Sequence, residues 1–351
     1  MATDVTDILE QHPARRLARL ESEKIAKKFV SEVSRTKRIA DSLLAGLENR
    51  LIERILVGRL RRGIKAAEDG ILAQNTLSEM RGAYESGAME TLPSFLPSPS
   101  NINYATYTES GKDWRSKRTN RPVILYTAGG GFMFPLSKKQ KHMIQRMAEA
   151  TGCEIVSGTH RLAPENPYPA AIEDIADQYE ALVESGVDHR QLFLGGDTAG
   201  ASVTMGALQN ILERGSPLPA GIILFAPWCD LGMTGWSYIT GSVTNHSPFR
   251  METAAFCARI YLAESSPFDP KVSAVYGNAS NWPPILIHTS KYDLHFDDAI
   301  KLAEMGESQG CDIRLNYWDS PRHHLERMSS KDALRSFEEV TKFINRLVSY
   351  N

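Results

Sequence analysis

Hydrophobic positions along this chain follow two different periods. Before residue 100 they recur every three to four positions. Ile39, Leu43, Leu47, Leu51 and Ile55 form one helical stripe, with Leu44, Ile52 and Leu56 beside it and arginines opposite. After residue 101, short apolar runs alternate with helical segments. Val123–Thr127, Glu154–Gly158, Gln191–Gly195, Gly221–Ala226 and Pro284–His288 read as strands, and 138–150, 170–186, 199–214, 296–309 and 331–348 read as helices. Apolar strands separated by helices predict an α/β fold, a mostly parallel sheet covered on both faces. The interval 230–270 breaks the alternation and reads as an insertion. The run Leu92-Pro-Ser-Phe-Leu-Pro-Ser-Pro-Ser100 cannot continue a helix, because its prolines remove donors and hold extended geometry. It reads as a linker, at 91–101, between an N-terminal helical region, 1–90, and a core over 102–351.

Composition narrows the class. Of 351 residues, 42% are hydrophobic and 23% charged, which excludes a disordered chain. Forty Lys and Arg against 42 Asp and Glu give a net charge of −2, so nothing favours nucleic-acid binding. The basic charge is concentrated between Arg15 and Lys65, with 15 basic and 6 acidic residues. A helical cap with a solvated basic face is favoured there over a membrane-surface or partner-binding helix. The longest apolar run, Ala220 to Cys229, is strand-sized, so no transmembrane segment is expected. Asp4, Asp7 and Glu10 with no apolar stretch beside them give no expectation of a secretory signal. Four scattered cysteines without CxxC spacing fit reduced thiols and a cytoplasmic location. A homodimer is the base-rate expectation for any assembly.

Four segments carry chemistry. In Gln191-Leu-Phe-Leu-Gly-Gly-Asp-Thr-Ala-Gly-Ala-Ser202 an apolar strand runs into Gly196-x-Thr198-x-Gly200 and then a helix. This is the pattern of a nucleophile elbow, with threonine where serine is expected. Taken alone, a glycine-rich turn gripping a phosphate at a helix N-terminus reads equally well. Ser202, one helical turn on, is expected to face helix packing. In Val123-Ile-Leu-Tyr-Thr-Ala-Gly-Gly-Gly-Phe132 a glycine triplet past a strand can aim backbone N–H groups at one point, as an oxyanion site requires. Asp293 lies past one strand and His323 past the next. The order nucleophile position, acid, histidine is that of α/β-hydrolases.

The run His160-Arg-Leu-Ala-Pro-Glu-Asn-Pro-Tyr-Pro-Ala170, with Gly196-Asp-Thr-Ala-Gly200 and Ala128-Gly-Gly-Gly-Phe132, resembles the hormone-sensitive-lipase-like (GDXG) branch of the α/β-hydrolases over roughly residues 100–345. The resemblance implies an α/β-hydrolase fold with a helical cap formed by N-terminal helices and by an insertion, here 1–90 and 230–270. It implies a catalytic set of Thr198, Asp293 and His323, with His324 the lesser candidate for the base. It also implies oxyanion donors at the N–H groups of Gly130, Gly131 and Ala199. Three positions depart from the family pattern. Thr198 replaces serine, Ala128 replaces the histidine that opens the glycine motif, and His160 replaces a tyrosine.

Three functions are consistent with these residues. The first is an esterase-like hydrolase acting on a small or medium carbonyl or ester metabolite, with Thr198 or an activated water as nucleophile. The second is a non-hydrolytic acid/base catalyst, a lyase, cyclase or condensing enzyme of secondary metabolism, using His323 and Asp293. The third is a ligand-binding protein on a disabled scaffold. A small-molecule substrate is expected in each. His295, Asp297, Asp298, His323 and His324 are of metal-ligand type, but no HExxH or HxH spacing appears, and the glycine triplet lacks the GxGxxG and GK[ST] patterns. No metal and no cofactor are expected. Trp228, Trp236, Trp282 and Phe132 read as core aromatics before they read as pocket walls.

Overall fold

The structure, a computed structural model, describes Arg81, Glu85 and residues 121–244, 251–319 and 331–348. The basic N-terminal stripe, the linker, His323 and His324 lie outside the described residues. Six strands form one sheet: β1 (Val123–Thr127), β2 (Glu154–Gly158), β3 (Leu192–Asp197), β4 (Gly221–Phe225), β5 (Ile285–Ser290) and β6 (Ile313–Trp318). Their order is β2-β1-β3-β4-β5-β6, and all five pairings are parallel. Among the residues described from 121 onward, the helices are α1 (Lys138–Thr151), α2 (Ala170–Glu184), α3 (Ala199–Glu213), α4 (Trp236–Thr244), α5 (Met251–Leu262), α6 (Phe296–Ser308) and α7 (Lys331–Val348). The strand expected from Gln191 begins one residue later, because Gln191 closes a single 3₁₀ turn, His189–Gln191, started by the Asp188 side chain.

The strands read as unbroken apolar runs because both faces are covered. Ile124, Tyr126, Phe193, Ile223, Phe225 and Leu286 pack with Met143, Ile144 and Met147 of α1 and Phe337, Val340, Phe343 and Ile344 of α7. The alternate residues, among them Val123, Leu125, Leu192, Leu194, Ile222, Leu224 and Ile287, pack with Ile172, Ile175 and Tyr179 of α2, Val203 and Ile211 of α3, and Leu302 of α6. Period-two alternation thus splits one apolar strand between two cores. The interval between β4 and β5 contributes α4 and α5 instead of a strand-to-helix repeat. Trp228, Trp282 and Phe132 are buried as core aromatics, whereas Trp236 at the start of α4 is 57% exposed.

One titratable group is built into the sheet. His288 of β5 is buried, with Nδ1 2.7 Å from Ser336 Oγ and Nε2 3.2 Å from Asn316 Nδ2. Phe225 and Trp318 meet its ring edge-on. The amide nitrogen of Asn316 can only donate, so Nε2 accepts and Nδ1 carries the proton of a neutral imidazole. Burial lowers its pKa to about 3, so the unfolded chain takes up a proton well before the folded one. Stability is therefore expected to fall as pH drops from about 6.5 toward 3, by roughly 2–3 kcal/mol at pH 4.5 from this group. Urea denaturation at pH 7 and pH 4.5 checks this: His288→Gln should lose markedly less stability between the two pH values than the native chain.

Candidate active site

β1 pairs with β2 on one side and β3 on the other, so the chain reverses direction across the sheet at β1/β3. In such sheets ligands bind outside the carboxyl ends of the strands at that reversal. The glycine loop follows β1 and Thr198 follows β3, one on each side of it. In register, Thr127 lies beside Gly196.

Thr198 caps α3 with φ 51° and ψ −116°. A β-branched residue in this region costs on the order of 1–3 kcal/mol, which the surroundings must offset. The Thr198 N–H donates to Phe225 O at 3.0 Å, and Thr198 O accepts from Ala201 N at 3.1 Å and Trp228 N at 3.2 Å. The flanking glycines allow the close approach. A Cβ on Gly196 would lie 2.6 Å from Gly200 O, and one on Gly200 would collide with Thr127 O. Ser202 points away from the bend and donates to the Trp228 carbonyl, inside the packing.

The glycine loop lies against this bend. A Cβ on Gly129 would come within 3.2 Å of the Thr198 Cβ. Gly131 and Phe132 both have positive φ, 58° and 65°. For Phe132 that strain is met by ring contacts: it stacks on Tyr261 of α5 at 3.9 Å and 6°, and tilts against Trp228 at 5.4 Å. Among the described residues, no acceptor takes the N–H of Gly130 or Gly131. Ala199, in the first turn of α3, likewise has an N–H with no intrahelical acceptor.

The loop is anchored by a residue that sequence reasoning passed over. Asp197, the residue between Gly196 and Thr198, is fully buried. Its Oδ1 accepts from Tyr126 Oη and Gly129 N, both at 2.9 Å, and its Oδ2 from Gln140 Nε2 at 3.3 Å. Gln140 Nε2 also donates to Gly129 O at 2.7 Å, while its Oε1 accepts from Ser137 N at 3.0 Å. Ser137-x-x-Gln140 is a capping box at the start of α1, a signal readable in the sequence. The same glutamine caps the start of the helix and ties the loop. Ala128 therefore leaves the loop held from Asp197 and Gln140.

Asp293, past β5, is buried and connects to Thr198 through two aromatic residues. Its Oδ1 accepts from His295 N at 2.8 Å and lies 3.3 Å from His295 Nδ1. The His295 ring stacks on Trp228 at 5.3 Å, and Trp228 N is the donor to Thr198 O. Below, Asp298 Oδ2 accepts from Cys229 N, Asp230 N and Tyr238 Oη at 2.7–3.0 Å, fixing the turn that follows Trp228. Burial, and then the neighbouring Asp230, hold the Asp298 carboxyl well above the ordinary range. Asp230 goes the other way: burial raises it, but hydrogen bonds from Thr234 and Lys301 outweigh that and leave it low. One proton between two neighbouring acids is the ordinary outcome. His160 is half-buried, and its desolvation lowers its pKa; its Nδ1 lies 3.0 Å from Arg161 O. No group of three or more metal-ligand side chains occurs among the described residues.

A doubly covered parallel sheet with a strained strand-to-helix bend beside a glycine loop defines a protein of the α/β-hydrolase class. The sequence profile of the α/β-hydrolase fold matches residues 124–326, and the chain belongs to that family. It is 30% identical to an acetyl-hydrolase of Streptomyces hygroscopicus over 60% of this chain and 71% of that protein. It is 22% identical to an esterase of Acinetobacter venetianus over 68% and 79%. A crystal structure of an esterase from the bacterial hormone-sensitive lipase family superposes with a TM-score of 0.66 at 26% identity, covering 83% of this chain and 98% of that one. The chain is thus an esterase-like member of the family, an enzyme of the ester-hydrolase type.

The anchoring is measurable. Asp197→Ala removes the carboxylate that accepts from three buried donors and is expected to lower unfolding stability by about 3 kcal/mol in urea titration. Asp197→Asn, which keeps an accepting oxygen, should lose distinctly less.

Proposed function

We propose that this chain hydrolyses esters of small acyl groups, with Thr198 as nucleophile, His323 as general base and Asp293 as the carboxylate that orients it. The observation that carries this reading is the backbone of Thr198. A threonine sits at φ 51°, against the steric preference of its side chain, at a bend that abuts the glycine loop. In this reading Thr198 Oγ attacks the ester carbonyl carbon while its proton passes to the His323 imidazole. The N–H groups of Gly130, Gly131 and Ala199 receive the negative oxygen of the tetrahedral intermediate. Collapse breaks the C–O bond, and the imidazole returns its proton to the departing alcohol. Water, deprotonated by the same imidazole, then releases the acid from the acyl-threonine.

A short acyl group suits the surroundings. Phe132, Trp228 and Tyr261 fill the space beside the glycine loop, each no more than 2% exposed. The acetyl-hydrolase of S. hygroscopicus and an ethyl acetate hydrolase of Pseudomonas putida, 26% identical, are named for small acyl substrates. The segment 230–270, with α4 and α5, and the N-terminal region serve as the cap. No described helix is long and apolar enough to cross a membrane. The four cysteines are buried free thiols, which fits a cytoplasmic enzyme.

The threonine methyl crowds the line of attack and supports a second reading, in which the His323–Asp293 pair works without a covalent step. Assays on p-nitrophenyl acetate separate the two. Thr198→Ala should lower kcat at least about 10³-fold, as should His323→Ala, and Thr198→Ser should raise it. Retention of turnover in Thr198→Ala together with its loss in His323→Ala would establish the non-covalent reading instead.

A further inference from the structure

We propose that Arg81 is a positioning residue for the glycine loop, holding from outside the core the amides that the proposed hydrolysis uses; the inference rests on that reading of the site. Arg81 is helical, only 6% exposed, and lies 52 positions before the loop it contacts. Its Nε donates to Met133 O at 2.8 Å and its Nη2 to Ala163 O at 3.0 Å. Nη1 and Nη2 also form a bidentate pair with Glu165, at 2.9 and 3.0 Å. The planar fork of a guanidinium can reach two carbonyls and a carboxylate together, whereas an ammonium acts as a compact point charge.

The two carbonyls belong to segments already joined to each other. Ala163 N donates to Phe132 O, and Gly130 O accepts from both Met133 N and Phe134 N. Gly130–Met133 is thus a closed turn whose outer end rests on Arg81 and on the Arg161–Glu165 block. Its inner end, at Gly129, rests on Asp197 and Gln140. The donors proposed at Gly130 and Gly131 are suspended between these two anchors. Alanine at 128 offers no polar side chain to add a third. A tether serving only the N-terminal region would be complete with Glu165. The bonds to Met133 O and Ala163 O instead fix the aim of the loop.

Full-length Arg81→Ala and Arg81→Lys would be compared with the native chain by amide hydrogen exchange over 129–134 and over β5, and by kcat and KM for p-nitrophenyl acetate. In Arg81→Ala, exchange over 129–134 is expected to accelerate about tenfold with β5 unchanged. kcat should fall about tenfold or more and KM move less than about twofold. Millimolar guanidinium ion should restore part of both losses. Arg81→Lys, which retains the charge on Glu165, should fold if the alanine variant does not, and should still show the faster loop exchange. Unchanged exchange over 129–134, an unchanged kcat, or acceleration spread equally to β5 would each overturn the positioning role. Absence of ester turnover in the native chain would overturn the proposed function alone, and loop exchange would then decide whether Arg81 holds the loop.

Discussion

Everything at this site depends on one tight passage of backbone, the turn from β3 into α3 through Thr198. The start of α3 lies so close to Gly196, and the end of β1 so close to Gly200, that no side chain fits at either position. The residue between them is left in a conformation that L-amino acids avoid. Three backbone hydrogen bonds, to Phe225, Ala201 and Trp228, hold it there. The bonds to β4 and to the segment after it mean that the bend is set by the sheet as a whole. A strained conformation survives only where its surroundings over-determine it, and such places are where function concentrates.

The glycine loop shows the same design from the other side. Triplet glycines allow left-handed backbone but do not choose one direction. Direction comes from a buried carboxylate and an amide, Asp197 and Gln140, at one end, and a buried guanidinium, Arg81, at the other. Charge-assisted bonds in a water-poor interior are stiff, and preorganised dipoles stabilise developing charge without reorganising during reaction. The aromatic cluster of Phe132, Tyr261 and Trp228 links this loop to α5.

Much of this was legible in the sequence. Strand runs and helical periods located five of the six strands and five helices to within a few residues, because burial on both faces makes a parallel strand a continuous apolar run. The sixth strand was harder to see. Among the described residues Ile313–Trp318 pairs on one side only; it carries Arg314 and Asn316, and so lacks the apolar run of an inner strand. The elbow was readable because its glycines obey a strict steric requirement at fixed spacing. Asp197 and Gln140 were not picked out, since nothing local tells a loop-anchoring carboxylate from any other. The contacts of Asp197 span 57 to 71 positions, and that of Gln140 with Gly129 spans 11. Arg81 was hidden for the same reason, since its contacts with Met133, Ala163 and Glu165 span 52 to 84 positions. The Ser137-x-x-Gln140 capping box was available as a local signal, but only for a helix start.

The central claim is that Thr198 Oγ is poised to attack an electrophile within reach of a base. Diethyl p-nitrophenyl phosphate tests this directly, because attack forms an oxygen–phosphorus bond and expels p-nitrophenolate. Intact and peptide mass spectrometry should find one diethylphosphoryl group per chain, located on Thr198, with loss of ester turnover in step with labelling. An unlabelled Thr198 in an enzyme that still hydrolyses esters, or a stoichiometric label on another residue, would contradict it.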